Sequence, residues 1–264
     1  MNRLDRARML TYVLVALMAV QAALGLVFSG EYRDAAWIVA TWWGNDWVTL
    51  LLGVPLLAAA PGFAKRAPVR GSVFWAGMLA YATYNYAYYL LGASLNRFFG
   101  LYVVCVLLAV TALVTLLTGV GTEAVAASLR SRARARAIGG YFIFVAIGLA
   151  VIWLGTWAAY AFAGRPTPVE TDAFRLVAAL DLTLMVPVLA LGGVLLWRRG
   201  PWGFVVGGLA GVQASLYLFV LSVNSLVAIG RGLAEAPGEL VTWVPLLVAT
   251  AAATLALFAS AEAS

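Results

Sequence analysis

Long apolar runs broken by short polar segments govern this chain from end to end. A spanning helix needs about 20 mostly apolar residues, because the hydrocarbon core is about 30 Å thick and a helix rises about 1.5 Å per residue. Eight stretches fit that length, with blurred ends: 9–29, 46–62, 72–92, 100–119, 139–163, 172–197, 202–227 and 240–260. The pattern predicts an all-α polytopic transmembrane helix bundle of about eight spans, forming a single domain over residues 1–264. The second stretch is the shortest, and a re-entrant segment there is the alternative.

The polar breaks carry a polarity. Arg3, Arg6, Arg8, Lys65, Arg66, Arg70, Arg130, Arg132, Arg134, Arg136, Arg198 and Arg199 fall in alternate breaks, twelve of the 17 basic residues. Cytoplasmic loops retain Lys and Arg, so both termini are expected in the cytoplasm. The opposite breaks hold Arg33, Arg97, Arg165, Arg175 and Arg231 among most of the acids. The first stretch also has the basic start of a signal peptide, but its length and the lack of a clean small-residue cleavage site favour a retained span. The segment 120–138 is expected to run as a short helix along the inner surface, with Arg130, Arg132, Arg134 and Arg136 touching anionic lipid headgroups; a nucleotide or protein dock is its other reading. Trp37, Trp42, Trp43 and Trp47 suggest an interfacial aromatic segment leading into the second span.

Composition then narrows the chemistry. The chain is 64% hydrophobic and 11% charged, with a mean hydropathy of +0.96, which no water-soluble domain could bury. Its net charge of +6 maps onto loops, so no nucleic-acid partner is expected. Histidine is absent, which removes histidine-ligated metals, histidine-ligated haem and a histidine base. A lone Cys105 excludes an intrachain disulfide, and Lys65, the only lysine, lies between spans, where no retinal Schiff base forms. No cofactor, metal or catalytic residue is expected.

Comparing the halves at an offset of about 133 shows a recurrence. Asp46, Pro55, Lys65, Arg66, Pro68 and Tyr84 have counterparts in Asp181, Pro187, Arg198, Arg199, Pro201 and Tyr217, the acid and the helix proline drifting by a few residues. Four spans is an even number, so the repeats, 1–119 and 139–264, would run parallel, joined by the basic segment 120–138.

Asp181 interrupts an apolar stretch about a third of the way into the sixth span. An intramembrane carboxylate is costly unless paired, protonated or facing water, and so marks a candidate site. A bridge to Arg175, six residues earlier, or a hydrogen bond to a neighbouring helix is the plain structural alternative. Asp46 lies at the expected membrane edge, where hydration makes it inexpensive. In the third span Gly77, Tyr81, Tyr84, Asn85, Tyr88 and Gly92 share one stripe, lining an aromatic cavity or knitting helices together. Arg97 follows in an outer loop, placed to close such a cavity or hold an acid. In the seventh span Gly203, Gly207, Gly211 and Ser215 repeat every four residues, a close-contact signature, while Gln213, Tyr217 and Asn224 share another face. With Gln21, these polar residues predict a pocket in the outer half of the bilayer, and the ligand-binding set is Asp181, Asn85, Tyr84, Tyr88, Gln213, Tyr217, Asn224, Asp46 and Arg97.

At YNYAYYLLGASLNRFF and ALDLTLMVPVLALGGVLLWRRGPWG, about a fifth of the chain, the sequence resembles uncharacterised bacterial multi-pass membrane proteins. The resemblance implies a bacterial inner-membrane setting and no assigned activity. Three functions compete: a carrier or small-molecule-binding protein using the outer pocket; a non-catalytic accessory or scaffolding subunit that meets another membrane protein, or a second copy, through the Gly-rich seventh helix and a large apolar surface; and an intramembrane lipid-modifying enzyme with a carboxylate as acid or base.

Overall fold

The computed structural model describes residues 2–130 and 135–259, apart from the side chains of 126 and 128–130. Nine helices appear among them, and no strand: α1 (Arg3–Val27), α2 (Ala36–Arg66), α3 (Pro68–Gly92), α4 (Phe99–Leu117), α5 (Thr122–Arg130), α6 (Ala135–Ala163), α7 (Thr171–Trp197), α8 (Pro201–Gly230) and α9 (Leu240–Ala259). All but α5 have membrane-spanning length, and seven are also apolar enough to cross a bilayer; α3 falls short in mean hydropathy. This is a multi-pass helical membrane protein.

Local chemistry sets the helix ends. Asn2 caps α1 by accepting from the Asp5 N–H at 2.8 Å. Pro68 and Pro201 start α3 and α8, where the missing N–H costs nothing. Gly164 and Gly232, at φ 64° and 69°, end α6 and α8 in the left-handed conformation.

Two of the prolines inside predicted spans, Pro55 and Pro187, are matched by a π turn rather than a break, while Pro61 and Pro245 sit within regular α-helix. The π turn Thr49–Gly53 precedes Pro55 in α2, and Asp181–Met185 precedes Pro187 in α7. In these turns the Val54 N–H bonds the Thr49 carbonyl and the Val186 N–H bonds the Asp181 carbonyl, five residues back. The extra residue absorbs the donor that proline removes.

The second span begins earlier than the sequence pattern implies. Residues 36–48, read as an interfacial aromatic segment, are the first half of α2, so α2 is neither short nor re-entrant. Trp42 is buried inside the bundle and stacks on Tyr89, ring centroids 5.1 Å apart; Trp47 remains exposed.

Four connections gather at one end of the bundle. Arg97 pairs with Glu31 at 3.3 Å, the Ser94 hydroxyl donates to Asp34 at 2.6 Å, and Arg231 lies over the Trp43 ring at 4.3 Å. These contacts place segments 28–35, 93–98 and 231–239 together, with 164–170 beside the last of them.

Helices α3 and α8 form the buried centre. Gly77 of α3 lies against Val212, and Gly208 of α8 against Val73, so the two backbones approach closely. Around α3 pack α1, α2 and α4, whose core includes Leu14, Met18, Trp75 and Tyr102; around α8 pack α6, α7 and α9, with Phe142, Leu189 and Phe204. The glycine stripe is spent here. Gly203 and Gly207 meet Leu195 and Leu196 of α7, and Gly211 meets Thr254 of α9 and Phe142 of α6, so this face is not available to another protein. Helix α5 packs its Val125 into the second core. Arg132 and Arg134 lie outside the described residues, as does Ser260; Arg136 is exposed at the start of α6.

The two groups close differently. In the first, α1 packs along α4; in the second, α6 and α9 barely meet. Their link is at one level, where the Tyr141 hydroxyl and Thr250 Oγ1 lie 2.7 Å apart.

Candidate functional site

The predicted polar residues separate into two clusters, each around one buried carboxylate. Asp46 and Asp181 are each the eleventh residue of their helix, about 15 Å from its start. Both are wholly buried. Both are held by neutral donors alone among the hydrogen bonds described.

At Asp46 the Tyr32 hydroxyl donates at 2.6 Å, the Tyr89 hydroxyl at 2.8 Å and the Gln21 amide at 3.1 Å. Tyr86 donates in turn to the Gln21 side-chain oxygen at 3.0 Å. Gly25 packs directly on the Asp46 carboxylate and the Tyr32 hydroxyl, leaving no room for a side chain. Burial first, and then the Asp46 carboxylate, push the Tyr32 hydroxyl far above the ordinary phenol range, so it stays a donor. The expectation of a hydrated Asp46 at the membrane edge is therefore overturned: the ring-rich first half of α2 is a buried helix, and its acid faces α1 and α3.

At Asp181 the Tyr84 hydroxyl donates at 2.5 Å, the Trp153 indole N–H at 2.9 Å and the Tyr217 hydroxyl at 3.3 Å. Helices α3, α6 and α8 thus converge on the first residue of the α7 π turn. Arg175 does not pair with Asp181; it is exposed and bridges Asp172 at 3.2 Å, one helical turn away. Six residues rotate Arg175 about 120° around the helix from Asp181, off the face that spacings of three, four or seven share.

Asp181 forms part of the wall of a cavity of about 730 Å³, in the range of small-molecule sites. The cavity occupies the gap between α6 and α9. Tyr141, Phe142 and Thr250 bound its deep end, α7 and α8 its back, and segments 168–170 and 233–239 its mouth. Most of its lining is apolar or aromatic, so the expected polar pocket is instead an apolar chamber with one buried acid.

A second, smaller cavity of about 40 Å³ lies behind it, where α2, α3, α7 and α8 meet. It is lined by Asn45, Tyr84, Asn85, Tyr217 and Asn224 and has room for a water molecule. Asn85 donates to Thr49 Oγ1 at 3.3 Å, while the side-chain oxygens of Asn45 and Asn224 are buried without a donor.

Of the predicted set, Asp181, Tyr88, Tyr217 and Asn224 line the large cavity; Tyr84 and Asn85 lie behind them. Gln213 is buried but lines neither cavity. Asp46 belongs to the separate cluster. Arg97 holds no membrane acid: its side chain is 81% exposed and bonds Glu31 at the connecting end. Missing from the prediction are Trp153, Tyr89 and Tyr32. Trp153 had a signal, being an indole deep within an apolar helix, where an N–H must find an acceptor.

No family model, curated protein or solved structure matches this chain. Among the described residues no group of three or more His, Cys, Asp or Glu could hold a metal ion.

Proposed function

We propose that this protein is a carrier or binding protein for a small hydrophobic molecule, which enters the cavity between α6 and α9 and meets Asp181. The observation that carries this reading is the coincidence of a chamber of about 730 Å³ with a buried carboxylate in its wall. An intramembrane acid is a functional candidate by default, and Asp181, unlike the equally buried Asp46, borders a cavity.

In this reading the protein sits in a bacterial inner membrane with its termini in the cytoplasm, so the cavity mouth faces outward. The distribution of Arg and Lys supports that orientation. The basic segment before α6 binds anionic headgroups, with Arg136 exposed toward them. The two halves are parallel copies of one four-helix unit. In support, Pro55 and Pro187 each stand two residues beyond their π turn, at one common offset of 132. On that offset Asp181 aligns with Thr49 and Asp46 with Ala178, so the acids occupy neighbouring turns rather than one equivalent site. A small change in one copy, the parting of its outer helices, turns a packed bundle into a binding chamber.

Cysteine labelling tests the reading. Native Cys105 is buried and provides a silent background. Ala228, at the cavity, is replaced by cysteine and exposed to a membrane-impermeant maleimide on intact cells. Labelling from outside that is blocked by hydrophobic aromatic compounds supports it. Labelling only after lysis reverses the orientation, and labelling that no compound blocks removes the binding role.

A further inference from the structure

We propose that the molecule taken up by this cavity is a hydrophobic organic cation. This rests on the binding role above and adds to it the sign of the ligand's charge.

Among the described residues, every charged side chain that lines the cavity is acidic. Asp181 lies in the wall, and Glu170, Glu235 and Glu239 lie at the mouth, with no described Arg or Lys in the lining. Of the neighbouring basic groups, Arg175 is engaged with Asp172 and Arg231 lies over Trp43, while Arg165 is exposed in the 164–170 connection and does not line the cavity. The three groups that hold Asp181 are two phenols and an indole, which orient a carboxylate without neutralising it. Its charge remains to be matched, and in low dielectric an opposite charge is its strongest available partner.

The remaining wall suits the rest of such a molecule. Trp153, Phe174 and Tyr217 surround Asp181, and ring faces attract cations as well as apolar groups. A soluble metal ion finds few ligands here, because one carboxylate among aromatic rings does not replace a hydration shell. An anionic lipid headgroup meets four carboxylates. The mouth carboxylates draw cations from solution, an effect that salt screens.

A pair of probes of one shape and opposite charge provides the test. Tetraphenylphosphonium, tetraphenylborate and neutral triphenylphosphine oxide are titrated against the purified full-length protein in nanodiscs, read by tryptophan fluorescence and calorimetry. The expected result is at least tenfold tighter binding of tetraphenylphosphonium than of either other probe. Asp181→Asn should remove most of that preference, Asp181→Glu should retain part of it, and Glu235→Gln with Glu239→Gln should reduce its salt dependence. Equal binding of all three probes, or preference for the borate, overturns the charge assignment and leaves the binding role standing. Failure of all three to bind, with labelling at Ala228→Cys unaffected by any of them, overturns both. The wild-type comparison decides the matter even if the Asp181 variants do not fold.

Discussion

Tyr84 of α3 and Asp181 of α7 meet hydroxyl to carboxylate at 2.5 Å, the shortest of the three contacts that fix the cavity acid. Removing the hydroxyl as Tyr84→Phe leaves the ring packed and takes away one charge-assisted bond. The expected loss is about 1–3 kcal/mol of stability. Paired with Asp181→Asn, the losses should be clearly less than additive, because both variants break the same contact. Unfolding in mixed detergent titrations measures both.

Asp46 should behave differently from Asp181. Asp46→Asn replaces a carboxylate that accepts from three donors with an amide whose NH₂ faces one of them. Stability should fall by about 1–3 kcal/mol, while tetraphenylphosphonium affinity in the folded fraction stays within about twofold, since Asp46 does not line the cavity. A parallel loss of affinity would join the two carboxylates into one functional unit.

Two glycines offer a matched contrast. Gly25→Ala drives a methyl group into the Asp46 carboxylate and the Tyr32 hydroxyl, and should cost about 1–3 kcal/mol. Gly155→Ala, in α6 with open space around it, should be neutral or stabilising by up to about 1 kcal/mol. Thermal melts of the two proteins in one detergent compare them directly.

Arg97→Ala should change little. The pair with Glu31 is largely solvent-exposed on the arginine side, and such pairs contribute less than about 1 kcal/mol. Probe affinity should be unaltered as well. A marked loss of affinity would return Arg97 to the cavity that sequence reasoning first gave it.

Hydropathy reads contact with lipid, and it located helices such as α4 and α6 because their outward faces are continuous and apolar. It reads depth poorly. The first half of α2 and most of α3 face other helices, so they hold Trp42, Asn45, Asp46 and five tyrosines at levels where lipid-facing helices hold leucine and valine. That is why residues 36–48 resembled an interface and Asp46 a surface acid. Asp181 was legible because it breaks a plain apolar run. Its partners were only half legible: Tyr84 and Tyr217 share its cluster, but Trp153 comes from a helix whose rotation no local pattern fixes. The parting of α6 from α9 has no sequence signature, since both helices present apolar faces to the chamber and to the bilayer alike.

Because phenols and an indole hold Asp181 where an arginine would have cancelled it, this part of the membrane lacks a fixed countercharge. An ion bound there feels the transmembrane voltage. With Asp181 about 15 Å along its helix, a cation entering from the mouth crosses roughly half of a field worth about 2.3 kcal/mol per charge per 100 mV. For the ligand and orientation proposed above, occupancy then changes several-fold with each 100 mV, and a negative interior fills the chamber from outside. Under that proposal the electrical state of the cell sets loading, because no guanidinium sits beside Asp181 among the described residues.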